Sequence, residues 1–171
     1  MDTVISSSSI SKLLEHSNSK WVTRERPKID RIACPWLIRR FIDPRAEFLY
    51  VPSAEVRAVA KARQAIPYDV PDVQFSHRGE LCSFDAFIAD FELDDPALAE
   101  LALIVRGADT GKPELTPQSP GLLAISFGLS INYTDDHAML AQGMVIYDAF
   151  YAWIRSTRAE VHNADLSKKP S

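Results

Sequence analysis

Four histidines occur in the 171 residues, and two of them, His77 and His137, lie inside the chain rather than in its polar ends, where His16 and His162 stand. His77 opens the string His77-Arg78-Gly79-Glu80, with Cys82 just beyond, and His137 follows Asp135 and Asp136. Imidazole nitrogens and carboxylate oxygens are the donors taken by zinc, iron and manganese. His77, Glu80, Asp136 and His137 therefore form a candidate metal set, with Gly79 free to turn the backbone so that His77 and Glu80 converge. The pattern has no fixed spacing, and only the fold can bring the two histidines together. An ordinary reading stands beside each half. Thr134 caps a helix whose first turn carries Asp135 and Asp136, facing the positive end of its dipole, and the His77 string is a polar turn ahead of a helix at Ser83.

A second constellation runs through Arg24, Arg26, Lys28 and Arg31 to Cys34-Pro35 and Arg39-Arg40. If Pro35 opens a helix, Cys34 sits at its N-cap, where the dipole and nearby guanidinium groups lower the thiol pKa. Arginine forks and helix N–H groups suit a tetrahedral oxyanion, so Arg31, Cys34, Arg39 and Arg78 form a candidate oxyanion set. Glu25 and Asp30 lie in the same stretch and offer the alternative of a self-neutralised surface. Asp30, Cys82, Arg106 and Asp109 complete the cleft candidates. For Arg106-Gly107-Ala108-Asp109, a helix C-cap at Gly107 is the ordinary reading, and a shared polar cleft for Arg106 and Asp109 the functional one.

These groups need elements to hold them. Trp21-Val22-Thr23 and Phe48-Leu49-Tyr50-Val51 have the β-branched and aromatic bias of short strands, and Val73-Gln74-Phe75 adds a third. Pro35 places a helix at about 35–42, entered through a turn at 30–34. A weaker helix falls at about 54–64. Ser83 caps the stripe Phe84, Phe87, Ile88 and Phe91. Asp95-Pro96 opens a helix carrying Leu98, Leu101 and Val105 that Gly107 stops. Ser119-Pro120 opens another, so apolar from Leu122 to Ile131 that it reads as the central helix, buried on most sides. Thr134 caps the last, with Leu140, Met144, Tyr147, Tyr151 and Ile154 on one stripe. The fold class expected is α+β and predominantly helical, with five to six helices and a small sheet of two or three short strands.

Length and composition frame this as one domain. Residues 1–19 are Ser-rich and read as a flexible arm, 20–157 as the folded body and 158–171 as a flexible tail. Hydrophobic residues at 46% and charged residues at 25% suit a well-formed core rather than wholesale disorder. The net charge of −4 is spread over interleaved acids and bases, which disfavours autonomous nucleic-acid binding. Two cysteines outside any Cys-x-x-Cys pair suggest a reducing compartment. With no secretory pattern and no apolar span, the location expected is cytoplasmic, and no nucleotide fingerprint is visible.

Read together, Trp21-Val22-Thr23-Arg24 to Arg40, His77-Arg78-Gly79-Glu80-Leu81-Cys82-Ser83-Phe84-Asp85, Ile104-Val105-Arg106-Gly107-Ala108-Asp109-Thr110, and Asp135-Asp136-His137 with Tyr147-Asp148-Ala149 resemble the chromate-resistance family, whose domain also forms the C-terminal part of the ChrB regulator. The resemblance covers about residues 20 to 155. It implies a bacterial role in lowering chromate accumulation or toxicity beside an efflux pump, with no settled reaction and no assigned catalytic residues. In the regulator the domain follows a DNA-binding portion, for which this chain offers only some twenty Ser-rich residues, so it is not expected to bind an operator alone. The leading expectation is an accessory or sensor domain that binds a metal ion, an oxyanion such as chromate, or both. The alternatives are a metal-dependent redox enzyme, removing superoxide or reducing chromate, the latter through a Cys34 or Cys82 thiol, and a structural domain that forms a homo-oligomer through its C-terminal helices.

Overall fold

The computed structural model describes residues 18–160, with side chains to residue 156. The expected arm at 1–19 and tail at 158–171 lie almost wholly outside the described residues. Three parallel strands, β1 (Lys20–Arg24), β2 (Glu47–Val51) and β3 (Ile66–Pro67), make one sheet in the order β2-β1-β3. Six helices accompany it: α1 (Asp30–Leu37), α2 (Val56–Arg63), α3 (Ser83–Asp90), α4 (Pro96–Asp109), α5 (Ser119–Asn132) and α6 (Asp136–Glu160). The architecture is α+β and predominantly helical, and no helix among the described residues is long and apolar enough to cross a membrane.

Alternation along β1 divides the core. Trp21 joins the large cluster built with α1 and α3 to α6, whereas Val22 faces the opposite way into a small cluster with Val56, Ala65 and Val70 beside α2. The chain leaves β1 through α1 to β2 on one side, then returns over the sheet through α2 to β3 on the other. The strand order therefore reverses at β1, and the crevice beyond the carboxyl ends of β1 and β3 is where open parallel sheets receive ligands.

Helix α1 begins at Asp30, five residues before Pro35, and not at Pro35 as the sequence suggests. A proline inside a helix removes one N–H bond to the carbonyl four residues back, here that of Arg31. The Tyr50 hydroxyl donates to that carbonyl at 2.9 Å, so the lost bond is replaced from β2. Propensity reasoning reads the proline alone and misses its tertiary compensation. Past Leu37 the turn widens into a π-helical segment, Ile38–Ile42.

The third strand also differs from expectation. Phe75 contributes one isolated bridge to Tyr68, while the strand itself is Ile66–Pro67. Gly107 lies within α4 rather than stopping it. A Cβ there would come within 2.3 Å of Ser119 Oγ, so this glycine permits the close approach of the α5 N-terminus. Gly111, at φ +67°, takes the left-handed position just past the end. At α6 the cap is Asp135, whose carboxylate accepts from Ala138 N–H at 2.7 Å, rather than Thr134. Helix α5 is not the buried centre. Only Ser119, Leu122 and Ser126 are buried on it, and Ile125, Phe127 and Ile131 face outward.

Candidate functional site

Four segments distant in sequence meet at His77. Asp30 is the first residue of α1, Asp69 follows β3 by two residues, His77 lies in the loop ahead of α3, and Asp109 ends α4. From His77 Nε2, the carboxylate oxygens of Asp109, Asp69 and Asp30 stand at 2.9, 3.5 and 3.6 Å. The ligand atoms of Asp30, Asp69 and His77 all lie within 4.8 Å of one another. Two donors on opposite sides of a transition-metal ion stand roughly 4.0–4.4 Å apart, twice a bond of about 2.0–2.2 Å. The cluster has the dimensions of a cation site.

Local backbone explains why these groups converge. Asp69 adopts φ +50°, a left-handed conformation that aspartate tolerates, which turns the chain sharply as it leaves β3. Ile29 adopts φ +37° immediately before Asp30. A β-branched residue there is strained by roughly 1–3 kcal/mol, and the distortion sets the direction in which α1 begins. Helix α3 is capped by Cys82, whose N–H is taken by the Asp85 carboxylate at 3.0 Å. Ser83, expected as the cap, instead turns inward. Its N–H donates to Asp30 Oδ2 at 2.5 Å and its hydroxyl to Asp69 Oδ1 at 2.8 Å.

The electrostatics follow from burial. Asp30 is fully enclosed, and burial, then the charges of Asp109 and Asp69, push its pKa well above the ordinary carboxyl value against the pull of His77 and the Ser83 N–H. Its Oδ1 has no hydrogen-bond partner. Burial also raises Asp69, but hydrogen bonds from His77 and Ser83 and the charges of Arg24 and Arg31 bring it below the usual value. Asp109 is raised by burial and by Asp69. His77 is raised to about 9, chiefly by its hydrogen bond with Asp69 and, against partial burial, by Asp30 and Asp109. With a 43% exposed side chain, His77 stands at the mouth of the cluster. Beside it opens a cavity of about 500 Å³ lined by residues that include Arg24, Asp69, Asp72, Ser76 and His77.

The other sequence candidates go elsewhere. The Gly79-Glu80 pair forms a tight turn closed by reciprocal 3.0 Å bonds between Arg78 and Leu81, with Gly79 at φ +61°. This turn directs Glu80 outward, where it is 84% exposed and pairs with Lys112 at 2.5 Å. His137 packs edge-on against Tyr50, with ring centres 5.5 Å apart, and Asp136 accepts from the Arg26 N–H at 3.0 Å. Neither Glu80 nor His137 belongs to the donor group at His77. Arg78 is held bidentate by Asp90, and Arg106 by Asp85, so Arg106 and Asp109 do not share a cleft. Arg39 donates to the Ala46 carbonyl and lies over the Phe48 ring. Arg31 alone of the oxyanion set reaches the site, with Nε 3.4 Å from Asp69, and Arg24 of the same basic run joins it at 3.1 Å.

Cys34 lies in the middle of α1, fully buried, and not at an N-cap. Burial, followed by the charges of Asp30 and Asp69, pushes its thiol well up. Cys82 is buried too, and burial with Asp30 and Asp85 raises its thiol. Both groups are thiols rather than nucleophilic thiolates. Asp69, the residue that sequence reasoning missed, carries no motif. The available signal was an aspartate in a Tyr68-Asp69-Val70-Pro71 exit from a strand, where α/β crevices gather their ligands.

Residues 21–154 match the protein family described as ChrB, C-terminal domain. The chain is 34% identical over 145 residues to Protein ChrB of Cupriavidus metallidurans (strain ATCC 43123 / DSM 2839 / NBRC 102507 / CH34), an alignment covering 84% of this chain and 43% of that protein. The chain thus spans less than half the length of this relative. No solved structure matches it.

Proposed function

The chain belongs to the ChrB C-terminal domain family, and from that premise we propose that it is an accessory or sensor domain of chromate resistance whose working centre is a divalent metal ion held by His77, Asp69, Asp30 and Asp109. The observation that carries the reading is the convergence of His77 with the buried carboxylates of Asp30 and Asp69 within the span of a metal coordination shell, with the partly buried Asp109 2.9 Å from His77 Nε2.

A cation fits this crevice better than a bare oxyanion. At the corresponding place in anion-binding folds, helix N-terminal amides stand free to meet the ligand. Here the Ser83 N–H at the start of α3 is taken by Asp30, so a carboxylate fills that place and carries the negative charge itself. Three carboxylates face Arg31, Arg24 and a protonated His77, so the metal-free cluster is close to neutral, and a divalent ion would enter in exchange for protons. The unpartnered Asp30 Oδ1 supplies a further donor atom. Three oxygen ligands to one nitrogen is a hard set, which ranks manganese and ferrous iron above zinc. To ligate an ion His77 would give up its proton, and Ser83 would keep Asp30 and Asp69 oriented through Oδ2 and Oδ1, the oxygens that face His77.

Either metal is redox-active, so a sensor and a superoxide-removing enzyme both start from the same centre. The thiol route to chromate reduction lacks support from the two buried cysteines. The deciding experiment is calorimetric titration of the chelator-washed chain with Mn²⁺, with Fe²⁺ under anaerobic conditions, and with Zn²⁺. Stoichiometric binding is expected, weakened at least about tenfold by His77→Ala and by Asp30→Asn, the range seen when a ligand or its support is lost. Equal binding by all three chains would remove His77 from the site. A superoxide assay on the loaded protein then separates enzyme from sensor.

A further inference from the structure

The α5–α6 surface has no covering among the described residues, and its composition identifies its occupant. Helix α5, Ser119–Asn132, contains no charged residue. Ile125 is 44% exposed on it, and on α6 Val145 is 65% exposed. Between the helices runs a cavity of about 440 Å³ lined by Gln118, Ile125, Ile146, Ala149, Phe150 and Trp153. From Gln118, which precedes α5, the positions Gly121, Ile125 and Gly128 follow at helical spacing on one face. A Cβ built on Gly121 or Gly128 meets nothing within 4 Å, so the face is open to close approach by another backbone.

We infer that this face pairs with the same face of a second copy of the chain. The segments outside the described residues are poor material for covering it. Residues 161–171 contain Val161 and Leu166 as their only large apolar side chains and end in Lys168-Lys169-Pro170-Ser171, and residues 1–17 are Ser-rich, with one short stripe at Ile10, Leu13 and Leu14. A second copy brings an apolar strip of equal length along both helices. A two-fold axis sets the same patch of both copies together, so a patch of one charge sign would repel itself, and the uncharged α5 carries no such penalty. An apolar strip rimmed by polar residues is the usual mark of a protein interface.

Sedimentation velocity of the full chain over a hundredfold concentration range tests the pairing, with Ile125→Glu, Val145→Glu and Leu13→Ser measured alongside. The expected result is a species of twice the 19.1 kDa chain mass. Ile125→Glu and Val145→Glu should each raise its dissociation constant at least tenfold while retaining the native circular dichroism melt, and Leu13→Ser should leave it unchanged. Three results overturn the inference. They are a monomer at every concentration, a dimer that neither glutamate disturbs, and a dimer that Leu13→Ser dissolves, which would make the N-terminal segment the occupant. Metal binding plays no part in the pairing, so the outcome stands apart from that of the calorimetric titration.

Discussion

At the scale of single residues, His77 is the group whose behaviour separates this site from a polar turn. Its pKa is raised from 6.5 to about 9 by the carboxylates around it. A histidine raised on folding favours the protonated folded state. Its contribution to stability is therefore complete below about pH 6.5 and is lost as the pH climbs through about 9. An NMR titration of the metal-free protein should follow the His77 ring to a midpoint near 9, and a midpoint near 6.5 would mean that the carboxylates do not act on it. The cysteines make the opposite kind of test. Because Cys34 and Cys82 are both buried with their thiols pushed up, Ellman's reagent should label neither in the native chain and both in denaturant. Rapid native labelling of either would reopen the thiol chemistry set aside above. The sequence singles out His77 as an inner histidine with a glutamate nearby, and the fold sets it beside three carboxylates. Glu80, suggested by proximity, and His137, suggested by residue type, lie elsewhere. Asp30 and Asp109, carried only as cleft candidates, and Asp69, not singled out at all, arrive from other elements.

Elements were read best where start signals are local. Asp95-Pro96 caps α4 as expected, the Asp95 carboxylate accepting from Ala97 N–H at 2.7 Å, and Pro120 lies in the first turn of α5. The failures share a cause, which is tertiary context outvoting local punctuation. Pro35 was read as a helix start, yet α1 carries it internally because Tyr50 satisfies the Arg31 carbonyl. Tyr50→Phe removes that donor and should cost about 1 kcal/mol in a denaturant melt; an unchanged midpoint would mean that the carbonyl finds another partner. Gly107 was read as a stop, yet it is the contact point for Ser119. Gly107→Ala should destabilise the chain by ~2 kcal/mol, since Lys112 O and Ser119 Cβ both stand within 3.0 Å of the added carbon. A neutral or stabilising result, as expected for alanine in an uncrowded helix, would show that α4 and α5 separate easily. Gly143 repeats the arrangement where α6 crosses Ile32 of α1.

For the whole molecule, the site ties β1, β3, α1, α3 and α4 into one crevice, so the binding of an ion there would be linked to folding. A ligand that binds only the native state stabilises it by about 2.7 kcal/mol when present at a hundred times its dissociation constant. Mn²⁺ or Fe²⁺ at that excess should raise the melting temperature of the native chain by several degrees and leave Asp30→Asn nearly unmoved. A rise of equal size in both would indicate weak binding over the acidic surface instead. The fold class was legible in composition and periodicity, but the exposed α5 was not, because hydropathy does not say whether an apolar helix is covered by its own chain or by another molecule. Asp30, Asp69, His77 and Asp109 enter in that sequence, with the last at the end of α4. During synthesis the ribosome must release residue 109 before all four can meet, so a nascent chain shorter than that cannot assemble the cluster, and under the proposed function the uptake of an ion by all four would be timed by translation.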